Sequence, residues 1–214
     1  MYTSRISKQT IKRLAIYYRC LEKLHKEGIR TVSSHQIGEE LGLKASQVRK
    51  DLSYFGGFGK RGVGYEIRTL ASRISKILGM TRSWKTCIVG FGNLGRALLH
   101  FPGIRDKGFN IVGVFDKDKK KVGSAADDLL RVEDVASIPM AIRERGIEIG
   151  VIATPAEDAQ SVVDLLIKYG VKGIVSFAPT KLSVPERISV EEIDISVALS
   201  SVAFGIIRME RDGD

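Results

Sequence analysis

In the first third of the chain, apolar residues recur at intervals of three and four, which is typical of amphipathic helices. They predict a helix over residues 8–26, a short second helix that opens with a capping box at Ser33–Gln36, and a third helix over 45–54. The third helix buries Val48 and Leu52 and exposes basic and amide side chains. Two short helices joined by a tight turn, the second of them basic, predict a helix-turn-helix.

A glycine-rich stretch follows at residues 55–65, with Lys60 and Arg61 near its centre. This composition suits a β-hairpin with a basic tip, which can reach a DNA backbone or a narrow minor groove. An ordinary surface hairpin has the same pattern, but the position directly after a basic helix-turn-helix favours a DNA-binding wing. A closing helix over 67–77 completes a winged-helix domain predicted for residues 1–80.

From residue 84 onward, short apolar segments alternate with segments of helical periodicity. The apolar segments predict strands at 84–89, 110–116, 147–153 and 171–177, and two shorter ones at 188–190 and 193–195. Nearly all-apolar strands that alternate with helices imply a parallel sheet covered on both faces. The predicted fold class is therefore α/β, with a doubly wound Rossmann domain over residues 84–195.

The last predicted element is a helix over residues 196–209, inside a C-terminal segment that spans 196–214. Apolar side chains fall on nearly every face of this helix, so it must be buried. At the end of the domain, a partner subunit could bury it.

The turn after the first strand of this domain has the spacing of a dinucleotide-binding fingerprint. Gly90, Gly92 and Gly95 form G-x-G-x-x-G, in which the glycines serve a tight turn, a close approach of pyrophosphate, and helix–strand packing. The helix that follows presents free N–H groups to phosphate. Asp116 ends the second strand 21 residues after Gly95, where such a fold places the carboxylate that binds the adenosine ribose.

That carboxylate also bears on the type of dinucleotide. A phosphate on the 2′ oxygen, as in NADP(H), needs a nearby cation and is repelled by Asp116, so NAD(H) is favoured. Lys117 and Lys119 lie close by in sequence and keep NADP(H) open as the alternative.

The distribution of charge along the chain points to a second binding partner besides the dinucleotide. Residues 1–80 contain 16 lysines and arginines against six acidic residues, whereas residues 81–214 contain 18 against 19. A basic unit beside a nearly neutral one indicates a polyanionic partner such as nucleic acid, although a basic face that serves only solubility has the same composition. Overall contents of 43% hydrophobic and 28% charged residues are ordinary for a globular protein.

Other classes of protein find little support. No apolar run approaches the roughly 20 residues that cross a bilayer, and the N-terminus lacks the apolar core of a secretory signal. Cys20 and Cys87 lie far apart in apolar patterns, which favours reduced thiols and a cytoplasmic location. No cysteine and histidine cluster has metal-ligand spacing, so neither a membrane nor a metal is expected.

The sequence also lacks a recognisable set of catalytic residues for a dehydrogenase. Hydride transfer needs an acid or base near the nicotinamide, commonly a histidine or a tyrosine–lysine pair. His25 and His35 lie in the basic domain, His100 ends the helix after the glycine turn, and no tyrosine has a lysine four residues later. A dinucleotide bound as a signal is therefore favoured. An NAD-dependent reductase with a basic N-terminal domain and a nucleotide-binding scaffold that does not touch DNA remain as alternatives.

Several segments, in order along nearly the whole chain, point to one family. They are Lys12–Leu14, Tyr17–Arg19, Val32–Ser34, Gln47–Gly56, Gly62–Tyr65, Gly92–Gly95, Gly173–Ile174, Phe177–Pro179 and Val184–Pro185. In these segments the chain resembles the Rex family, bacterial repressors that sense the NADH/NAD⁺ ratio. The resemblance implies a homodimer in which each subunit has a winged helix and a Rossmann domain and exchanges its last helix with its partner. It also implies that the dimer binds a palindromic operator when NADH is scarce and releases it when NADH binds.

The expected site residues follow from these patterns and from the resemblance. Contacts with NADH or NAD⁺ are expected from Gly90, Phe91, Gly92, Asn93, Leu94, Gly95, Asp116, Thr154 and Pro155. Contacts with operator DNA are expected from Lys12, Arg13, Ser46, Gln47, Arg49, Lys50, Ser53, Tyr54, Lys60 and Arg61. No catalytic residue is expected.

By the same resemblance, Arg19 and Asp194 match an inter-subunit pair of the NADH-bound state. Phe101 stands where the family commonly has tyrosine, and Ile195 where some members have phenylalanine. Both positions lie near the nicotinamide in the family, so these departures bear on how strongly NADH is distinguished from NAD⁺.

Overall fold

The computed structural model describes residues 6–57, 59 and 63–212. The chain divides into two compact units, Met1–Arg82 and Ser83–Asp214. Within the described residues, no helix combines the length and the apolar character needed to cross a membrane.

The first unit is mainly helical. Its elements are α1 (Lys8–Lys26), β1 (Thr31–Val32), α2 (Ser34–Leu41), α3 (Ala45–Ser53), β2 (Tyr65–Glu66) and α4 (Ile67–Ile77). Side-chain caps define where the helices begin: the Ser33 hydroxyl accepts from Gln36 N while the Gln36 side chain accepts from Ser33 N, as the predicted capping box requires. Glu66 caps α4 in a similar way, accepting from the N–H of Thr69 at 2.7 Å.

The turn between α2 and α3 brings their backbones very close. A Cβ on Gly38 of α2 would collide with the carbonyl oxygen of Leu43, and α2 ends at Gly42 in the left-handed conformation (φ 64°). Helices joined this tightly form the helix-turn-helix that the pattern predicts. The partner of β2 is β1, antiparallel to it, so the strand after the glycine-rich stretch pairs with residues that precede α2. Lys60 and Arg61 of the predicted wing lie outside the described residues.

A buried carboxylate attaches α1 to α3. Asp51 on α3 is fully buried and accepts from Arg13 Nε at 2.6 Å and Nη2 at 2.8 Å, and from the hydroxyl of Tyr17 at 2.7 Å. The amide of Gln47 donates to it at 2.9 Å and the hydroxyl of Thr10 at 3.4 Å. Burial pushes the pKa of Asp51 up, but the hydrogen bonds from Arg13, Tyr17 and Gln47 outweigh it and the pKa lies below its usual value.

The second unit is built on a parallel sheet of six strands in its described part. The strands are β3 (Trp84–Val89), β4 (Phe109–Asp116), β5 (Val132–Asp134), β6 (Ile149–Ile152), β7 (Gly173–Ser176) and β8 (Ser189–Glu192). The helices are α5 (Asn93–Leu99), α6 (Pro102–Arg105), α7 (Ile138–Arg145), α8 (Ala156–Lys168) and α9 (Ile195–Asp212). The spatial order β5-β4-β3-β6-β7-β8 is that of a Rossmann sheet, which confirms the predicted fold class.

Both faces of this sheet are covered. Val114 and Ile88 point into one apolar cluster with Leu99, whereas Phe115 and Val89 point into another on the opposite face. Neighbouring residues of one strand thus enter different cores, which explains why the strands are apolar throughout. The order of the strands reverses between β3 and β6, and a crevice opens there at their carboxyl ends.

The end of the chain departs from one prediction. The expected strand at 193–195 is wrong: Ile193 and Asp194 lie between β8 and α9, and Ile195 begins α9. Asp194 accepts from the N–H of Ser196 at 2.8 Å and from its hydroxyl at 2.6 Å. Asp194, which separates the apolar residues Ile193 and Ile195, therefore caps the start of a helix.

Replacing Asp51 with asparagine is expected to lower the free energy of unfolding by about 3 kcal/mol, because Arg13 would lose the charge that compensates it. Far-UV circular dichroism during urea unfolding measures this loss. Glu39→Gln, which removes an exposed carboxylate from the same unit, is the matched control.

Asp51 also makes the stability of the protein depend on pH. The pKa of Asp51 is lowered in the folded state, so its contribution is complete above the unfolded pKa of about 3.9 and is lost as the pH falls through the folded value. The gap in stability between the wild type and Asp51→Asn should therefore narrow below about pH 4. A gap that stays constant down to acid unfolding would contradict this role.

Candidate functional site

A pocket of about 550 Å³ lies at the crevice where the sheet order reverses. Residues that follow β3, β4 and β6 form its walls. Seven of the predicted dinucleotide residues line it: Gly90, Gly92, Asn93, Leu94, Asp116, Thr154 and Pro155.

The three glycines of the turn have different surroundings. Gly90 has φ of +96°, and a Cβ there would lie 2.5 Å from the carbonyl oxygen of Ala153. A Cβ on Gly95 would collide with the carbonyl oxygen of Gly90. A Cβ on Gly92 would meet nothing within 4 Å. Packing within the protein therefore explains Gly90 and Gly95, whereas Gly92 leaves backbone open to a ligand.

Helix α5 begins at this open backbone. Gly92 occupies its N-cap position and contributes no side chain to cap the first N–H groups of the helix. Such groups suit an anion, because the N-terminus of a helix carries a partial positive charge.

Asp116 lies at the carboxyl end of β4 and is 6% exposed. It accepts from Phe91 N at 2.8 Å, from Asp118 N at 2.8 Å and from Lys121 Nζ at 2.9 Å. Burial pushes the pKa of this carboxyl up, but the three donors outweigh burial and hold the pKa below its usual value. The group is therefore an ionised acceptor at neutral pH, and it suits the hydroxyl donors of a ribose.

Thr154 supplies an unsatisfied group at the β6 side of the pocket. Its Oγ1 is buried and has no hydrogen-bond partner among the described residues. Buried hydroxyls in proteins are nearly always hydrogen-bonded, so an orphan that lines a pocket indicates a partner supplied by a ligand. Gly92, Asp116 and Thr154 together fit a dinucleotide laid across the ends of β4, β3 and β6.

Two predicted residues of the turn lie outside the pocket wall. The ring of Phe91 is fully buried beneath the guanidinium of Arg96, with 4.6 Å between the guanidinium carbon and the ring centroid. Its N–H is bonded to Asp116, so Phe91 shapes the turn from within the core. Gly95 likewise serves the packing of α5 on β3.

Five polar or charged residues outside the predicted set of ligand contacts also line the pocket: Lys117, Asp118, Lys121, Asp158 and Ser161. Two of them form an ion pair, with Lys117 Nζ 2.6 Å from Asp158 Oδ2. Lys117 and Asp158 are far apart in sequence, and only the strand order reveals that they share a pocket.

The exposed face of α3 has the character of a DNA-reading helix. Ser46, Arg49, Lys50 and Ser53 are all exposed, at spacings that place them on one face. Arg49 Nη1 donates to the hydroxyl of Ser34 at 3.0 Å, which ties this face to the start of α2. Tyr54 is exposed at the end of the helix.

Other predicted DNA contacts are placed differently. Arg13 and Gln47 donate to Asp51, so part of their hydrogen-bonding capacity serves the attachment of α1 to α3. Lys12 is exposed on α1. The contact of any of these side chains with DNA stays a prediction.

Positions predicted to act between subunits lie at the surface of their own units. Arg19 and Asp194 are both exposed, and hydrogen bonds from Ser196 lower the pKa of Asp194 below its usual value. Phe101 and Ile195 are also exposed, at 58% and 61%. In the described part of the chain, no group of three or more histidine, cysteine, aspartate or glutamate residues could hold a metal ion.

Two family models match the chain. Residues 5–53 match a model described as "Putative DNA-binding protein N-terminus", and residues 81–180 match one described as "CoA binding domain". These matches fall on the helix-turn-helix and on most of the parallel sheet.

Known proteins match over nearly the full length. The redox-sensing transcriptional repressor Rex 1 of Thermotoga maritima is 49% identical, covering 95% of this chain and 97% of that protein. The redox-sensing transcriptional repressor Rex of Carboxydothermus hydrogenoformans is 47% identical, covering 95% and 98%.

Solved structures agree. The structure of RSP in complex with β-NAD⁺ and operator DNA has a TM-score of 0.91 at 35% identity, covering 99% of this chain and 97% of that one. RSP in complex with β-NADH has a TM-score of 0.89 at 34% identity, covering 99% of both chains. With this identity over this length, the chain belongs to the Rex family of redox-sensing transcriptional repressors.

Proposed function

We propose that this protein is a transcriptional repressor that binds a palindromic operator when NADH is scarce and leaves it when NADH binds. One observation carries the proposal. A single chain combines a helix-turn-helix, whose α3 has an exposed basic face, with a Rossmann pocket in which the backbone at Gly92 is open to a ligand. RSP, a family relative with the same fold, has been solved with β-NAD⁺ and operator DNA and with β-NADH.

In the pocket, the backbone at Gly92 and the start of α5 would hold the pyrophosphate. Asp116 would accept from the adenosine ribose, and the orphan hydroxyl of Thr154 would bond the nicotinamide half. Pro155, at the start of α8, would limit the pocket on that side. The dinucleotide acts here as an effector, and the protein's part is to bind it and to distinguish its two redox states.

Discrimination between the redox states follows from charge. Oxidised nicotinamide carries a positive charge and reduced nicotinamide is neutral, so apolar surroundings favour NADH because an unpaired buried charge is costly. Phe101 and Ile195 are exposed apolar side chains of the nicotinamide-binding unit that could supply such surroundings.

A homodimer fits both the operator and the last helix. A palindrome is read by two recognition helices at a fixed spacing, and two copies of α3 supply them. Along α9, large apolar side chains are exposed, among them Val202 at 61% and Phe204 at 69%. A second copy that exchanges this helix would bury them, and closure of the two Rossmann domains around NADH would change the spacing of the recognition helices. Arg19 and Asp194 of different subunits are proposed to pair in that state.

The same proposal sets aside the alternative of an enzyme. Rex family proteins are repressors that share a dinucleotide-binding fold with dehydrogenases, so a reductase is not proposed. A cytoplasmic location is proposed with the repressor function, because that is where a bacterial repressor meets its operator.

The proposed function is tested with the full chain and a duplex selected from random sequences in the absence of NADH. NADH is expected to lower operator affinity at least tenfold in fluorescence anisotropy, and NAD⁺ much less. Gly92→Ala should keep operator affinity and change stability by less than about 0.5 kcal/mol, since its Cβ meets no protein atom, yet lose the NADH response. Operator binding that saturating NADH leaves unchanged in the wild type would overturn the proposal.

Lys50→Ala is expected to weaken operator binding by about 1–3 kcal/mol, because an exposed cation on the reading face contacts a base or a phosphate. Lys181→Ala removes the same charge from an exposed position of the other unit and serves as the control. Anisotropy titrations at several salt concentrations distinguish loss of a specific contact from loss of net charge. Equal affinities for both variants would show that α3 does not read the operator.

Phe204→Asp is expected to convert the dimer to monomers, because it places a charge in the apolar surface of α9. Sedimentation velocity measures the mass, and Phe204→Leu, which keeps the surface apolar, should remain dimeric. A monomeric wild type, or a dimeric Phe204→Asp, would remove the proposed role of α9.

A further inference from the structure

The dinucleotide pocket contains two lysines that would suit a phosphate. Lys117 and Lys121 both line it, and both follow Asp116 closely in sequence. A dinucleotide that carries a 2′-phosphate needs a cation at this edge of the pocket. From its lysines alone, the pocket therefore resembles a site for NADP(H).

Each lysine, however, donates to a carboxylate of the same pocket. Lys121 Nζ lies 2.9 Å from Asp116 Oδ2, and Lys117 Nζ lies 2.6 Å from Asp158 Oδ2. With Asp118 included, three carboxylates face two ammonium groups in the lining. The side chains of the lining thus carry one net negative charge before any ligand enters, which opposes an additional phosphate.

The Lys121–Asp116 pair has a consequence for selectivity. A carboxylate at this place repels a 2′-phosphate, but here a lysine neutralises much of its charge at 2.9 Å. Asp116 is then a weaker barrier to NADP(H) than an unpaired carboxylate would be. Exclusion of NADP(H) therefore needs a second interaction, and this interaction involves Lys117.

Asp158 reaches Lys117 from the opposite side of the pocket. Lys117 follows β4, whereas Asp158 lies in the first turn of α8, which follows β6. Because β3 lies between β4 and β6, this ion pair extends across the carboxyl end of β3. It engages the Lys117 ammonium with a carboxylate of α8.

We infer that Asp158 is a specificity-determining residue, which excludes 2′-phosphorylated dinucleotides by keeping the Lys117 ammonium engaged. The inference rests on the proposed function, since it concerns the same pocket. A side chain of α8 would thus help to select the adenosine half of the ligand, although α8 lies outside the glycine fingerprint.

The size of the effect follows from exposure. The side chains of Lys117 and Asp158 are 66% and 24% exposed, so the pair is well screened by solvent. Release of Lys117 should therefore change NADPH affinity by no more than about tenfold.

The test measures the dissociation constants of NADH and NADPH by isothermal titration calorimetry on the full chain. Asp158→Asn is expected to tighten NADPH about tenfold and to change NADH less than about threefold. Asp164→Asn, which removes an exposed carboxylate from the same helix, should leave both values unchanged. Adding Lys117→Met to Asp158→Asn should abolish the gain in NADPH affinity.

Three results would overturn the inference while the proposed function stands: an unchanged NADPH/NADH ratio in Asp158→Asn, an equal gain for both nucleotides, or a gain that survives Lys117→Met. Lys117→Met alone provides a test that does not depend on how Asp158→Asn folds. It should leave NADPH affinity unchanged, and a tenfold loss would show that Lys117 already binds the 2′-phosphate. A wild-type protein that binds no NADH would instead overturn the proposed function itself.

Discussion

The start of α5 packs so closely against the end of β3 that only a hydrogen atom fits at Gly95. This contact fixes the direction in which the turn leaves the sheet, and Gly90 allows the turn by adopting a backbone conformation that side chains rarely permit. The N–H of Phe91 is then directed at Asp116, which joins the turn to the end of β4. Gly92 then lines the pocket with open space where a side chain would begin, and the ligand surface follows from these packing constraints.

The N-terminal unit depends on a comparable constraint of a different kind. A fully buried carboxylate, Asp51, is tolerated because Arg13 neutralises it and Tyr17 and Gln47 complete its hydrogen bonds. This network joins α3 to α1 through hydrogen bonds of defined geometry, beside the apolar contacts that the two helices make in the same core. The network lies on the buried side of α3, and Arg49 and Lys50 on its other side remain exposed, as the proposed contact with DNA requires.

Local patterns in the sequence were sufficient for much of this structure. The capping box at Ser33, the spacing of the three glycines and the position of Asp116 each reflect contacts between residues near in sequence or fixed by a strand–helix–strand unit. Contacts between distant segments were not accessible in this way. Nothing in a periodic pattern shows that Arg13 and Gln47 serve Asp51, or that Asp158 meets Lys117, because these depend on helix packing and strand order. The wrong strand at 193–195 arose because alternating polarity around Asp194 describes a helix cap as well as a strand.

The two ligands of the protein are bound by different physical means. DNA would be met by exposed lysine and arginine side chains, whose attraction to phosphates is long-ranged and weakens with salt. The dinucleotide pocket has its lysines already paired with carboxylates, so its pyrophosphate would be held by backbone N–H groups at the start of α5, which act only at contact distance. This difference keeps the two binding functions of a sensor separate. The ammonium groups of its pocket are neutralised by Asp116 and Asp158 and so compete little for the operator, and its selectivity comes from which hydroxyls and charges fit beside these two carboxylates.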